Sequence, residues 1–532
     1  MQRRRFFASI GLLATAASAQ RAMAISATTP GKPSRRSKPE PFMPTEPAAA
    51  DSSSDALRAA HARIEAIDRK GPRLNSIIEL NPDASAIARG LDEERRAGKT
   101  RGPLHGVLVA VKDNVATGDA MSTSAGSLAL DSVHATRDAH LIGRLREAGA
   151  VIVGKTNLSE WANIRSTRAT SGWSGRGGLT RNPHALDRNT SGSSSGSAAA
   201  VAAGLVPMAV GTETDGSIVS PSSINGVVGL KPTVGRVSRD GIVPISHTQD
   251  TAGPIARTVL DAARLLAAMA GPDPRDPATL GAPPPEDYVA ALNKDALRGA
   301  RIGIARAFFT GHDEIDQETE RALAQLIVLG AELVDPIDLP KVDYGDAEQA
   351  VLLHEFKHDL PLWLATFAPH APVRDLADLI AFNEAHRDKE MPYFGQELFT
   401  QAQALGGLTS DAYLRALDAC RKGSRDNGLD RVMREHRLDA IVAPTGGTAW
   451  LTDFINGDSA GDGFSTPAAV AGYPHLTVPS GFVRGLPIGL SFVGAPWSEA
   501  RLLALGYAFE QATAWRRDPS YLASTSVPQM RT

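Results

Sequence analysis

Residues 190–204 read TSGSSSGSAAAVAAG, a run of small and hydroxyl-bearing side chains that passes directly into apolar sequence. A flexible Gly/Ser linker would continue through polar residues and join two separately folded parts. Instead the chain continues as AAAVAAGLVPMAV, which predicts a helix and then a strand, both apolar enough to be buried. A Walker-type phosphate loop would end in Gly-Lys-Ser/Thr, and this run does not. The remaining alternative is a loop in which serine hydroxyls take part in chemistry.

The composition is that of an ordinary globular protein with a large core. The 532 residues are 42% apolar and 22% charged, and the net charge of −3 gives no indication of a nucleic-acid partner. A single cysteine, Cys420, excludes an intramolecular disulfide and a multi-cysteine zinc site. Its position in the helix-like run YLRALDAC predicts a packed core thiol rather than a nucleophile.

The N-terminus, residues 1–24, is predicted to be an export signal. It combines a basic start, a short apolar core and the small residues Ala-Ser-Ala at 17–19, and RRRFF at 3–7 resembles a twin-arginine signal. The apolar run is too short to be a stable membrane anchor. We therefore expect a periplasmic or secreted protein, the alternative being a cytoplasmic protein with a basic N-terminus. Residues 25–50, rich in Pro and Ser, are predicted to be a disordered spacer.

Helix and strand patterns alternate along residues 51–516, which predicts one α/β domain. The buried-strand candidates are short apolar runs, namely GVLVAV, VIVGKTN, PMAVGTET, RIGIARAF and LDAIVAP. Strands separated by helices indicate a mixed or parallel sheet with helices on both sides. Within the domain we expect a proline-rich connection at 272–298 and a helical insert at 310–435. Residues 517–532 are predicted to be a C-terminal tail.

Lys112 is the first candidate for chemistry because it ends the buried strand of HGVLVAVKDNV. Open α/β folds place their sites at the carboxyl ends of strands. Burial among apolar neighbours disfavours the charged form of a lysine and can yield a neutral amine that acts as a base. The alternative is a structural lysine whose stem is buried and whose head reaches solvent.

Two serine loops are the other candidates. Ser193 and Ser194 lie between glycines, and Ser217 follows Asp215 and Gly216 in a tight turn after a strand. A glycine beside a serine lets backbone N–H groups approach a ligand closely, as an oxyanion hole requires. Each loop taken alone is more often an ordinary turn than an active site.

In this order and spacing, the lysine and the two serine loops resemble the amidase signature family of serine hydrolases. The matching segments span roughly residues 52–515 and are GPLHGVLVAVKDN, GAVIVGKTNLSEWA, RNP, SGSSSGSAAAVAAG, GTETDGSI, INGVVGLKPTVGRVSRDGIVPIS and VAGYPHLTVPSG…GLPIGLSFVG. The resemblance implies an α/β amidase signature fold, with a large mixed twisted sheet covered by helices on both faces and a helical insert. It also implies a serine amidohydrolase, without cofactor or metal, that cleaves small-molecule or peptide carboxamides to acid and ammonia.

The resemblance implies a catalytic Ser-cisSer-Lys triad of Lys112, Ser193 and Ser217. Ser217 would attack the amide carbon. Ser193, joined to Gly192 by a cis peptide in this family, would relay the proton to neutral Lys112 and later to the leaving amine, and water would hydrolyse the acyl-enzyme. The backbone groups implied for the oxyanion hole are those of Thr214, Asp215, Gly216 and Ser217. The residues expected beside the triad are Thr190 and Ser194, and those expected to be structural are Ser191, Ser195 and Ser197.

Two departures from the family pattern concern the substrate. Val219 stands two residues after Ser217, where many members carry an arginine that, in the glutamine-dependent amidotransferases, grips a free α-carboxylate. Asp215 replaces the more usual glycine. The segments GTETDGSIV, WANIRSTRATSGWSGRGG and SRDGIVPIS resemble bacterial peptide amidases, which remove the C-terminal amide of peptides. We therefore expect neutral carboxamides with an apolar or peptidyl acyl side, the alternative being a broad-specificity aliphatic or aromatic amidase.

Other classes of protein are weighed against this interpretation. HEFKH at 354–358 matches the His-Glu-x-x-His zinc motif, with Glu384 as a possible third ligand, so a zinc peptidase using His354 and His358 is an alternative to a solvated helix with paired histidines. A non-catalytic binding protein with the amidase fold is another. A Ser-His-Asp hydrolase is disfavoured because no Gly-x-Ser-x-Gly elbow with a suitable late histidine occurs, and His475 is interpreted as structural. The oligomeric state is not predicted.

Overall fold

A computed structural model of the chain describes residues 52–342, 344–461 and 463–525. The predicted export signal and the spacer lie outside the described residues, as does the end of the C-terminal tail. In the part of the chain that is described, no helix combines the length and the hydropathy that crossing a bilayer requires.

Within these residues eleven strands form one mixed sheet, and two short strands, β4 and β5, pair separately. The strands are Ile77–Leu80 (β1), Leu108–Lys112 (β2), Val151–Thr156 (β3), Trp173–Ser174 (β4), Gly178–Leu179 (β5), Met208–Glu213 (β6), Val228–Lys231 (β7), Thr251–Ala256 (β8), Arg301–Ile304 (β9), Glu332–Val334 (β10), Ala440–Pro444 (β11), His475–Val483 (β12) and Leu486–Val493 (β13). Their order across the sheet is β1-β3-β2-β6-β8-β7-β12-β13-β11-β9-β10. The runs β3-β2-β6 and β11-β9-β10 are parallel, and the other pairs are antiparallel.

The helices are Ser53–Arg63 (α1), Ala84–Arg96 (α2), His140–Glu147 (α3), Ser195–Ala202 (α4), Val219–Ile224 (α5), Val259–Met269 (α6), Pro277–Leu280 (α7), Asp313–Val328 (α8), Gly345–Phe367 (α9), Leu376–Ala385 (α10), Arg387–Glu390 (α11), Glu397–Ala404 (α12), Asp411–Arg421 (α13), Asp430–His436 (α14), Thr466–Ala471 (α15) and Glu499–Thr513 (α16). Each of the five predicted buried strands is present, and the apolar run after the serine loop folds as α4 followed by β6, as predicted.

Strand β2 shows why helices cover both faces of the sheet. Successive side chains of a strand point to opposite faces. Val109 and Val111 join a core cluster that includes residues of α3 and α6, whereas Leu108 and Ala110 join a second cluster that includes residues of α1, α2 and α4. A strand buried on both faces must be apolar throughout, which is the pattern that the sequence of β2 shows. The α/β class with a mixed sheet covered on both faces is therefore confirmed.

The helical insert differs from the prediction at its start. Residues 313–334 contain α8 and β10, and β10 pairs in parallel with β9, so this segment belongs to the sheet layer rather than to the insert. The three-residue edge strand β10 is partly exposed and too short to show a periodic pattern, so no local signal marks it. The helical part of the insert is α9 to α14. The proline-rich connection at 272–298 contains the four-residue helix α7.

Candidate active site

Lys112 is completely buried at the carboxyl end of β2, beside the end of the parallel strand β6. Its Nζ lies 2.8 Å from Ser193 Oγ, 2.8 Å from Thr212 Oγ1 and 3.2 Å from the Thr212 carbonyl oxygen. Burial lowers the pKa of the amine to about 7, against the opposing effect of the negative charges of Asp250 and Glu213. When the amine is neutral, its two N–H bonds can point to the Thr212 oxygens and its lone pair to the Ser193 hydroxyl. The side chain does not reach solvent.

The two serine loops meet in front of this amine. The peptide bond between Gly192 and Ser193 is cis, and Ser193 is fully buried. The backbone N–H of Ser194 donates to the carbonyl oxygen of Ser217 at 3.1 Å, which joins the two loops directly. The structure therefore brings Lys112, Ser193 and Ser217 together from three separate segments of the chain.

The turn that contains Ser217 presents unpaired backbone donors. Gly216 adopts a φ of 76°, a left-handed conformation that favours glycine. Among the described residues, the backbone N–H groups of Asp215, Gly216 and Ser217 donate to no backbone carbonyl. Such donors next to a nucleophile can stabilise a developing oxyanion, the role that the family resemblance implies for this turn.

Glu213 holds in place the residues that follow Ser217. Its Oε2 accepts the backbone N–H groups of Ile218 at 2.6 Å and of Val219 at 3.0 Å, so the carboxylate caps the start of α5. Burial raises the pKa of Glu213, and the positive charge of Lys231 opposes that effect. The backbone that follows Ser217 is thereby held in place.

Two residues that precede strand β8 contact Thr214. Strand β8 runs antiparallel to β6, which ends just before Thr214. Thr214 Oγ1 donates to Asp250 Oδ1 at 2.6 Å, and Gln249 Nε2 donates to the Thr214 carbonyl oxygen at 3.3 Å. Asp250 Oδ2 also accepts two backbone N–H groups. Burial raises the pKa of Asp250 to about 6. Glu213, Asp250, Gln249 and Thr212 were not singled out from the sequence, because their contacts depend on the order of the strands.

The remaining serine-loop residues have distinct contacts. Ser194 Oγ donates to the Thr212 carbonyl at 3.0 Å and accepts the Thr212 N–H at 3.1 Å, so it supports the strand end that carries a Lys112 partner. Thr190 Oγ1 donates to the Ser191 carbonyl at 3.1 Å and contacts the loop rather than the triad. The hydroxyls of the three serines expected to be structural bond within the protein: Ser191 to the Ser220 hydroxyl, Ser195 to the Ser191 carbonyl, and Ser197 to the Val210 carbonyl and the Thr156 hydroxyl.

A cavity of about 530 Å³ opens beside the turn, and Ser191, Gly192 and Gly216 lie in its wall. The lining therefore includes Ser191, for which the sequence indicated only a structural role. The start of α9, in the insert, also lines the cavity. The aromatic lining residues are Phe308, Tyr344 and Trp450, and the charged ones are Asp215, Lys341, Glu348 and Asp458.

The residues of the His-Glu-x-x-His segment make hydrogen bonds within the protein. Glu355 is buried and accepts hydrogen bonds from Ser246 Oγ at 2.5 Å and Tyr413 Oη at 2.6 Å. His354 Nδ1 lies 2.6 Å from the Ala350 carbonyl oxygen, and His358 contacts Asp359. Glu384, the proposed third ligand, pairs with Arg387 instead. Over the described ranges, no three His, Cys, Asp or Glu side chains are arranged to hold a metal ion.

His475 and Cys420 lie within the fold. His475 is buried in β12 with its Nε2 2.6 Å from Ser491 Oγ, and burial lowers its pKa to about 3. Cys420 is buried in α13, and burial raises the pKa of its thiol to about 11. A thiol with such a pKa is protonated at neutral pH and is a poor nucleophile.

Comparison with known proteins places this geometry in a family. The family model described as Amidase matches residues 55–503. The chain belongs to the amidase family. The crystal structure of native peptide amidase from Stenotrophomonas maltophilia is similar to this amidase at 51% sequence identity and a TM-score of 0.85, covering 88% of this chain and 95% of that one.

Curated relatives agree with this assignment. A probable amidase of Arabidopsis thaliana is 42% identical over 472 residues, which cover 86% of this chain and 87% of the relative. A glutamyl-tRNA(Gln) amidotransferase chain of Halorhodospira halophila is 39% identical over 476 residues, which cover 86% of this chain and 93% of the relative. The protein is accordingly an amidase hydrolase with the mixed α/β sheet of the peptide amidase structures.

Proposed function

We propose that this amidase removes the C-terminal amide of peptides by a Ser-cisSer-Lys mechanism through an acyl-enzyme. The observation that carries the proposal is the buried Lys112 amine, 2.8 Å from Ser193 Oγ, with its pKa lowered to about 7. A lysine in water has a pKa near 10.4, so burial makes the neutral base available at neutral pH.

In the proposed mechanism, Ser217 Oγ attacks the amide carbon while its proton moves to Ser193 Oγ and the Ser193 proton moves to Lys112 Nζ. The carbonyl oxygen becomes an oxyanion that the N–H groups of the turn stabilise. The C–N bond then breaks as the nitrogen takes a proton from Ser193, which regains one from Lys112, and ammonia leaves. Water attacks the resulting ester by the same proton route and releases the peptide acid.

The choice of a peptide amide over free glutamine is supported by the charges near the nucleophile. Val219, buried at the start of α5, offers no cation for a free α-carboxylate. The cavity wall carries three carboxyl groups, Asp215, Glu348 and Asp458, and one cation, Lys341, so its overall balance of charge disfavours an anion. The similarity to peptide amidase structures supports the same choice. A broad-specificity amidase would use the same triad and differ only in the acyl groups that it accepts.

The test compares ammonia release from a peptide amide and from free glutamine, using the wild type and the Lys112→Ala and Ser217→Ala variants. We expect faster turnover of the peptide amide, and a loss of about 10³-fold or more in each variant, because the triad acts as one unit. Circular dichroism controls for folding. Faster turnover of glutamine, or full activity without either side chain, would contradict the proposal.

We further propose that the protein is exported through the twin-arginine signal at its N-terminus. The basic start and the short apolar core of residues 1–24 support this. Replacement of Arg3 and Arg4 by lysine should leave the protein in the cytoplasmic fraction. Unchanged export of that variant would argue against a twin-arginine route.

A further inference from the structure

Two carboxylates of the cavity lie next to the nucleophile turn. Glu348, in the first turn of α9, exposes 9% of its surface, and its Oε1 accepts a hydrogen bond from Gln249 Nε2 at 2.8 Å. The same Gln249 nitrogen donates to the carbonyl oxygen of Thr214 at 3.3 Å. One side chain therefore links Glu348 to the residue that precedes Asp215, and both carboxylates line the same cavity.

Asp215 has an unsatisfied oxygen in this wall. Its Oδ2 accepts the hydroxyl of Thr466 at 2.7 Å, and the nearby Ser465 hydroxyl also lowers the pKa of the carboxyl group. Its Oδ1 is shielded from solvent and accepts no hydrogen bond of good geometry within the described part of the chain. A buried carboxylate oxygen without a donor is costly, so its presence at the substrate cavity of an enzyme points to a donor that arrives with the substrate.

The two carboxylates also disfavour each other's charge. Burial and the charge of Asp215 raise the pKa of Glu348 to about 8, and burial raises the pKa of Asp215. Glu348 is therefore largely protonated at neutral pH, and a cation placed between the two groups would favour its ionised form and replace the lost hydration. A neutral or anionic group at this position would not stabilise the ionised form in this way.

The other charged residues of the cavity do not balance the negative charge that Asp215 and Glu348 can carry. Asp458 is engaged with the backbone N–H of Ser171 at 3.1 Å and with Trp450 Nε1 at 3.2 Å. Lys341 is the one cation of the described lining. Lys231 lies close enough for its charge to lower the pKa of Asp215, but it is fully buried in β7 and is not part of the lining. Three carboxylates against one amine make the lining acidic.

We infer that Asp215 and Glu348 form a subsite for a cationic group, an ammonium or a guanidinium, on the acyl side of the amide substrate. The inference rests on the proposed function, since it specifies which carboxamides that site prefers. It narrows the expectation of an apolar or peptidyl acyl side, because the carboxamide stays neutral while the acyl part carries positive charge.

The test uses two substrate pairs, the first differing in a side-chain ammonium and the second in an acetyl group that removes the α-ammonium charge. Nα-acetyl-lysinamide is compared with Nα-acetyl-norleucinamide for a side-chain cation, and leucinamide with Nα-acetyl-leucinamide for an α-ammonium. We expect the charged member of at least one pair to have a kcat/KM about tenfold higher, the effect of one charge-assisted contact. Glu348→Gln should bring that ratio close to one. Asp346→Asn removes an exposed charge from the same turn of α9 and should leave the ratio as in the wild type.

Binding of the same amides to the Ser217→Ala variant, measured by calorimetry, separates this inference from the proposed function. The subsite is supported if the charged amides bind more tightly than the neutral ones and Glu348→Gln abolishes this difference. That result would support the subsite even where no amide is hydrolysed. The subsite is contradicted if the ratios are near one in both pairs, or if Glu348→Gln keeps the preference for the charged amide. In either case, hydrolysis of the neutral amides would still support the proposed function.

Discussion

Thr212 Oγ1 lies 2.8 Å from Lys112 Nζ and accepts a hydrogen bond from Asn114 Nδ2 at 2.9 Å. The proposed general base thus has a fixed acceptor from the neighbouring strand, which lets its lone pair point to Ser193. Thr212→Val keeps the shape of the side chain and removes that acceptor, so we predict a fall in kcat of about tenfold, the effect of one hydrogen bond. Steady-state kinetics on a peptide amide measure it. Thr212→Ser restores the hydroxyl and should recover most of the activity; equal losses in both variants would contradict the role.

The pH dependence of kcat/KM should follow the titration of the base. Since Lys112 must be neutral to accept a proton and burial lowers its pKa to about 7, activity should rise with pH through about 7 and level off above it. Asp250, ionised above a pKa of about 6, favours the protonated amine.

Asp250→Asn should therefore move the rising limb of the profile to lower pH, because the anion that raises the pKa of Lys112 is gone. The asparagine oxygen can accept the two backbone N–H groups, and its amide can donate to Thr214 Oγ1, so the turn keeps its support. A limb that stays in place, or moves to higher pH, would contradict the electrostatic link between the two residues.

Glu213 is predicted to stabilise the fold through its cap on α5. Glu213→Ala leaves two buried N–H groups without their acceptor and removes one of the three negative charges that favour the charged amine of Lys231, so we expect the free energy of unfolding to fall by about 3 kcal/mol. Chemical denaturation measures it. Glu213→Gln keeps an acceptor oxygen for the N–H groups and should lose less. Equal losses would show that the hydrogen bonds contribute little.

Metal removal should leave the activity unchanged. The His-Glu-x-x-His residues are engaged in contacts within the insert, and Glu355 binds the loop at 246–248. Treatment with a zinc chelator, followed by an ammonia-release assay, should give the untreated rate, and His358→Ala should retain activity within about twofold, as an exposed substitution commonly does. Loss on chelation that added zinc restores would favour the peptidase alternative.

The sequence predicted what local patterns encode. The apolar runs located the five buried strands, and the lysine and serine loops pointed to Lys112, Ser193 and Ser217 through a family resemblance. Thr212, Asp250 and Glu348 were not predicted to belong to the site, because no local sequence pattern marks them. Thr212 depends on β6 lying beside β2, Asp250 on the antiparallel pairing of β8 with β6, and Glu348 on the packing of the insert over the site.

Lys112 ends strand β2 of the central sheet, whereas α9 of the insert supplies Glu348 to the lining of the cavity. Of the two carboxyl groups in the proposed subsite, Asp215 lies in the turn of Ser217 and Glu348 in the insert, so part of the proposed substrate preference is encoded apart from the triad. Chimeras that exchange only the stretch for α9 to α13 between relatives should transfer the preference for an acyl group while the rate-limiting chemistry stays that of the host, which makes this layer a natural place for amidases to diversify.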